Sequence, residues 1–427
     1  MATRLARVKP FALQETMLPA AAPTNDAQAA LEAHLGKLRR DLKGRLDEFS
    51  RWIEGPAGAV ASPEEAQRRF TVLRLEFNRV LTHVDIFSEA LSQRSEPDTG
   101  VCLSGLEVVA RDALALPGYL SAPPVLCYLA RGPGAAIRRA RTRLPGGGEN
   151  PVALIRVPRE RMIGSGLASS LIHEVGHQGV ALLNLLPSLR QELMTATFES
   201  AELSQAWGLW TRWLSEIVAD LWAVAKVGIT STLGLIGVVS LPRAFVFRVS
   251  FDDPHPMPWM RVRLSAALGQ ALYPDPQWQR VTALWESYYP LERSPQPQRE
   301  LVHALCATMP ELIERLLEHR PDRLLLRTLG NVLASDARHP ARLRGLYRLW
   351  RKAPRLAQNA APSLFFAVIG QARADGALDA ENESQVLESA LRFWALQTST
   401  DEAAAYGARL PHRSPPRMIT YPATAAQ

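Results

Sequence analysis

His173-Glu174-Val175-Gly176-His177 sets two imidazoles four residues apart with a carboxylate between them. On a helix this spacing puts both rings on one face, where two nitrogens can address one metal ion. Glu174 sits about 100° round the same helix, close enough to take a proton from water at the metal. Two imidazoles do not complete a site, and the third ligand decides its class. A metzincin needs glycine and histidine where this chain has Val180 and Leu183, so that class is excluded. A third histidine ligand further downstream would have to be His255. Glu216-Ile217-Val218-Ala219-Asp220 offers a different solution, a glutamate ligand with an aspartate one turn on. On one helical face, Glu216 can coordinate the metal while Asp220 accepts the spare N–H of a ligand imidazole and fixes its tautomer. Two histidines and one carboxylate leave the fourth position open, as a catalytic zinc site requires. The expected metal ligands are therefore His173, His177 and Glu216, around a single catalytic Zn2+, with Glu174 as the base.

These residues need rigid elements to hold them. The first motif falls in a helix expected from about Leu167 to Leu186, and the second in one from about Ser204 to Val227 that ends at Gly228. Pro124–Ala130, Ala136–Arg143 and Pro151–Val157 read as three short strands separated by glycine-rich turns. Strands followed at once by a metal-binding helix are the order of zinc peptidases, whose edge strand can hold an extended peptide. Upstream, Leu31, Leu35, Leu38, Leu42 and Leu46 recur at helical spacing, and Ser62-Pro63-Glu64-Glu65 is a capping box opening a second helix. The expected organisation is a flexible leader (1–25), an N-terminal helical hairpin (26–100), a metallopeptidase segment (101–290), a C-terminal helical domain (296–410) and a flexible tail (411–427).

The composition is that of an ordinary globular chain: 47% hydrophobic and 21% charged residues over 427 positions. The net charge of +7 is spread along the chain. No signal-peptide core is visible, and Val227–Leu241, the most apolar stretch, is too short to span a bilayer. The expectation is a soluble cytoplasmic protein. Cys102, Cys127 and Cys306 lack metal-type spacing and read as buried free thiols.

His-Glu-Val-Gly-His, Ser215-Glu216-Ile217-Val218-Ala219-Asp220 and Asp253-Pro254-His255-Pro256 with Arg261 together resemble the gluzincin family of membrane CAAX prenyl proteases. Heat-shock membrane peptidases and the soluble minigluzincins belong to the same family. The resemblance covers roughly residues 120–270. It implies that His255 stabilises the oxyanion of the tetrahedral intermediate and that Arg261 supports the site. The missing membrane helices separate this chain from the prenyl-protein substrates of the membrane members. The expected fold class is α+β and mostly α, a zincin-like core with helical regions on both flanks. In that core a short antiparallel or mixed sheet lies beside the two motif helices.

The leading function is hydrolysis of peptide bonds in a peptide or protein substrate by zinc and Glu174. Two other readings compete with it. In one, the metallopeptidase core is a non-catalytic scaffold whose helical flanks bind a protein partner. In the other, the seven basic residues from Arg338 to Arg355 bring the protease to nucleic acid, although such runs are usually solvated helix faces. Gln371–Asn382 fails as a calcium loop, because Gln371 and Arg373 occupy ligand positions. His34, His83, His303, His319, His339 and His412 have no ligand partner at useful spacing.

Overall fold

The fold is seen in a computed structural model that describes residues 1–8, 16–132, 134–159, 164–195, 200–250 and 253–409. The expected tail, 411–427, lies outside the described residues. Within the stretch expected as a loose leader, Leu5 and Ala21 are buried.

Helices α1 (Asn25–Glu54) and α2 (Pro63–Ser92) form the N-terminal hairpin. The capping box is in place: Ser62 Oγ accepts the Glu65 N–H at 3.1 Å, and Pro63 occupies the first turn where its missing N–H costs nothing. Helix α3 (Pro97–Leu114) then enters the main core. Its Glu107 is fully buried and paired with Arg94, which also donates to the Cys127 carbonyl at 2.9 Å and to Ser104 Oγ at 3.0 Å. Burial pushes the Glu107 carboxyl up, against the pull of the Arg94 guanidinium. The pair bolts α3 to the sheet.

The three expected strands are present as β1 (Val125–Ala130), β2 (Ala136–Arg138) and β3 (Ala153–Pro158). They form a mixed sheet in the order β1-β3-β2, with β1 parallel and β2 antiparallel to β3. β2 is shorter than its sequence suggests. Arg141 takes a left-handed backbone (φ 62°), and the buried Asn150 amide donates to the carbonyls of Arg138 and Arg139 at 3.0 and 3.1 Å. These contacts turn the chain out of the ladder after Arg138.

Next come α4 (Gly166–Leu182), which carries the first motif, α5 (Leu185–Leu193), and α6 (Ala201–Val227), which carries the second. α6 is buried along most of its length, with Trp210, Trp213 and Trp222 fully enclosed. It ends at Gly228 (φ 60°). Helices α7 (Ile229–Val239), α8 (Pro258–Leu272), α9 (Gln277–Tyr288) and α10 (Gln296–Glu318) pack round it, and α11 (Pro340–Lys352), α12 (Pro362–Ala374) and α13 (Ala380–Arg409) complete the chain. One hydrophobic cluster runs from Leu103 through Ile155, Leu171 and Trp213 to Phe366 and Trp394. The C-terminal helices therefore share a core with the motif helices. Glu383 of α13 accepts the Ser165 N–H at 2.9 Å, so it satisfies a backbone donor at the start of α4.

The expected solvated face holds for much of α11, yet the basic run is partly committed: Arg344 of α11 pairs with Asp275 and Asp375, and Arg338, in the turn before it, is buried against Ser363. Gly376 (φ 71°) turns the chain before α13, as a turn rather than an ion loop. The three cysteines are free, with Cys127 buried and the other two half-buried. No helix among the described residues is long and apolar enough to cross a membrane.

The contact that positions the site is α4 on α6. A Cβ at Gly176 would meet the Ala219 backbone at 3.0 Å, and one at Gly179 would meet the Trp222 ring at 2.4 Å. Only glycine permits so close an approach. Gly179→Ala should therefore destabilise the protein by about 1–3 kcal/mol through overpacking, despite a gain of ~1 kcal/mol in helix propensity. Gly208→Ala on α6, where nothing lies within 4 Å, should instead stabilise it by about 0.5–1 kcal/mol. Urea unfolding of the two variants checks this, and equal stabilisation by both would contradict the packing account.

Candidate metal centre

Helix α4 presents His173, Glu174 and His177 on the face that meets α6, and α6 answers with Ser215, Glu216 and Asp220. α8 supplies Arg261, and the segment before it supplies Asp253 and His255. The structure thus brings together all seven residues singled out from the sequence.

His173, His177 and Glu216 form a group able to hold a metal ion, their ligand atoms lying within 4.8 Å of one another. His173 Nε2 is 3.1 Å from Glu216 Oε2, and His177 Nε2 is 3.3 Å from Glu216 Oε1. A tetrahedral ion with bonds of about 2.0–2.1 Å requires donors about 3.3 Å apart; each imidazole stands near that distance from one Glu216 oxygen, His173 from Oε2 and His177 from Oε1. The other ring nitrogens are engaged elsewhere. His173 Nδ1 lies 2.8 Å from Asp220 Oδ1, and His177 Nδ1 lies 3.4 Å from Ser215 Oγ. With Nδ1–H given to Asp220, the nitrogen that faces a metal is Nε2 once its proton is lost, the arrangement that a following aspartate was expected to enforce.

Behind Asp220 stands Arg261. Its Nε and Nη2 grip the two aspartate oxygens at 2.7 and 2.9 Å, a bidentate pair buried beneath the site. Arg261 therefore braces Asp220 behind His173, and its Nη2 also stands 3.5 Å from the His173 ring and 3.8 Å from Glu216 Oε2. His255 occupies the rim. Its Nδ1 donates to Asp253 at 2.6 Å, its Nε2 lies 3.1 Å from Glu216 Oε2, and its side chain is 46% exposed. It sits against the glutamate and stands outside the three-donor group. Glu174 is half-buried and makes no hydrogen bond or ion pair among the described residues.

These contacts set the charges. Burial alone would depress the His173 imidazolium, but Asp220 and Glu216 outweigh it and raise its pKa to about 9. Burial disfavours the Glu216 carboxylate, and hydrogen bonds from His173, His177 and His255 hold it far below the usual carboxylate range nonetheless. Asp220 is held low in the same way by Arg261 and His173. Glu216 itself raises His255.

Two contacts had no sequence signal. Ser215 is one hydroxyl among many on an amphipathic helix. Gln178, directly after His177, is 1% exposed and accepts the Ala140 N–H at 2.8 Å, tying the turn after β2 to α4. Two of the discounted histidines, His34 and His83, also meet. Their rings stack, His34 Nε2 lies 3.1 Å from His83 Nδ1, and His83 Nε2–H reaches the Pro145 carbonyl at 2.9 Å. Burial lowers His34 to about 4, so this is a neutral staple between the hairpin and the β2–β3 loop. His319 is buried against Glu192 and Ser188.

The raised His173 pKa has a definite sign. In the metal-free protein its stabilising contribution is complete below about pH 6.5, the unfolded value, and disappears as pH rises through about 9. A divalent cation must displace that proton. Affinity for Zn2+ should therefore rise by up to about tenfold per pH unit across this window, while the metal-free protein loses stability. Chelator competition and thermal melts across the window check both trends, and a pH-independent affinity would contradict the assignment. No protein-family model, curated protein or solved structure matches this chain, so the chemistry of the site rests on its own geometry.

Proposed function

We propose that this chain is a zinc metallopeptidase that hydrolyses peptide bonds, built on a zincin-like core of the small sheet, α4 and α6. The observation that carries the reading is the convergence of His173, His177 and Glu216, whose ligand atoms lie within 4.8 Å of one another, with Asp220 against the far nitrogen of His173. When bound, zinc supplies Lewis-acid polarisation of the scissile carbonyl and makes a water acidic enough to attack at neutral pH.

The chain's own groups do the rest. Glu174, on the same helix turn as His173, takes the proton of the attacking water and returns it to the leaving amine nitrogen. Among the described residues its carboxylate makes no hydrogen bond or ion pair that would have to be released first, which favours an acting base over a relic in a scaffold. His255, anchored through Nδ1 by Asp253, gives its Nε2–H to Glu216 in the metal-free protein, and once Glu216 turns to a metal that N–H is released at the rim, where negative charge develops on the carbonyl oxygen. Arg261 and Asp220 hold His173 in register. Trp213 and Leu214 on α6 are fully buried and keep the floor of the site dry.

Glu174→Gln keeps the size of the side chain and removes the base. In the zinc-loaded protein it should lower kcat for a quenched fluorogenic peptide by about 10²–10⁴-fold with zinc content unchanged. Undiminished hydrolysis by that variant would overturn the mechanism.

A further inference from the structure

We infer that an arginine-lined groove on the outer face of the small sheet receives acidic side chains of an extended peptide lying along β2. The inference rests on the peptidase reading for the peptide's course, and on the sheet for its chemistry.

The register sets the arginines on one face. Tyr128, Arg156 and Ala136 share one row across the three strands, and Leu126, Leu154 and Arg138 share another. Paired residues project to the same side, so Arg138 and Arg156 leave the sheet together, on the side of Leu126 and Leu154 that faces α2. Ile137 and Ile155 point the other way, into the core shared with α4. With Arg139 and Arg143 from the turn after β2, and Glu89 and Tyr128 in the walls, these arginines line a groove of about 480 Å³.

None of the four guanidinium groups makes an ion pair or hydrogen bond among the described residues, and the Arg156 Nε is buried without a partner. Several other half-buried arginines do meet carboxylates: Glu76 for neighbouring Arg79, Asp220 for Arg261, Asp275 and Asp375 for Arg344. Four like charges facing one glutamate give the groove a positive potential that favours an anionic ligand. The turn bearing them is fixed in advance, because Asn150 holds the carbonyls of Arg138 and Arg139.

The groove lies beside the path a substrate would take. β2 is an edge strand, and its continuation is tied through Ala140 to Gln178, next to ligand His177. A peptide added to that edge alternates its side chains between the α4 side and the arginine side. Asp or Glu at every second position would then meet guanidinium groups in a partly desolvated groove, where charge pairing gives selectivity. A nucleic-acid backbone fits less well. It needs a continuous basic track, and here Glu89 lies in the wall and Glu76 neutralises Arg79.

Fluorescence anisotropy on the full-length chain tests this with three labelled peptides of equal length, carrying glutamate, glutamine or lysine at alternate positions. The glutamate peptide should bind at least about tenfold more tightly than the other two, and increasingly so at low salt. Arg138→Glu/Arg143→Glu reverses charge at two exposed positions and should shift the preference to the lysine peptide, which a merely unfolded variant would not do. Equal binding of all three peptides, or an unchanged preference in the reversed variant, overturns the inference. So does a single-stranded RNA of matched charge that binds as well as the glutamate peptide. If the glutamate peptide binds selectively and no peptide is ever cleaved, the groove stands and the peptidase reading falls.

Discussion

Everything in the site depends on how closely α4 approaches α6. Gly176 and Gly179 remove the side chains that would hold the helices apart, and Ala219 and Trp222 fill the space. At that separation Glu216 reaches between His173 and His177, and Asp220 reaches the far nitrogen of His173. Two buried carboxylates in an apolar helix would be prohibitive alone. They are tolerated because three imidazoles and one bidentate guanidinium surround them. In the metal-free protein these pairs hold the ligands in place with protons in the space that a cation would take. Preorganisation and proton competition are thus two sides of one arrangement.

Much of the site was legible because its motifs are local. The spacing in His173–His177 and in Glu216–Asp220 is a helical period, and one helical face is all that each motif needs. The strands were visible from their β-branched runs and glycine-rich turns, although β2 stops early because the Asn150 side chain competes for its carbonyls. What could not be read were contacts between residues remote in sequence, which leave no periodic trace. The grip of Arg261 on Asp220, the position of Ser215 beside His177, and the reach of Glu383 to the start of α4 are of this kind. The stacked His34 and His83 belong with them, since only the hairpin brings them together. Arg138, Arg139, Arg143 and Arg156 looked like ordinary surface charge until the sheet register put them round one groove.

The helical flanks are built into the scaffold of the site. Trp210 on α6 donates to Thr308 on α10, and Trp222 to the Ala113 carbonyl on α3, so the glutamate helix is pinned from both sides of the chain. α12 and α13 close the same core. The N-terminal hairpin packs on the other face of the sheet, and the arginine-lined groove lies between the hairpin and that face.

The central claim is that His173, His177 and Glu216 form a zinc site, and the most direct measurement is the zinc content of the full-length protein by elemental mass spectrometry after exhaustive buffer exchange. The account requires one zinc per chain in the native protein, lost in His173→Ala and in Glu216→Ala. A native protein that retains no zinc, or a His173→Ala variant that retains as much as the native chain, would contradict it.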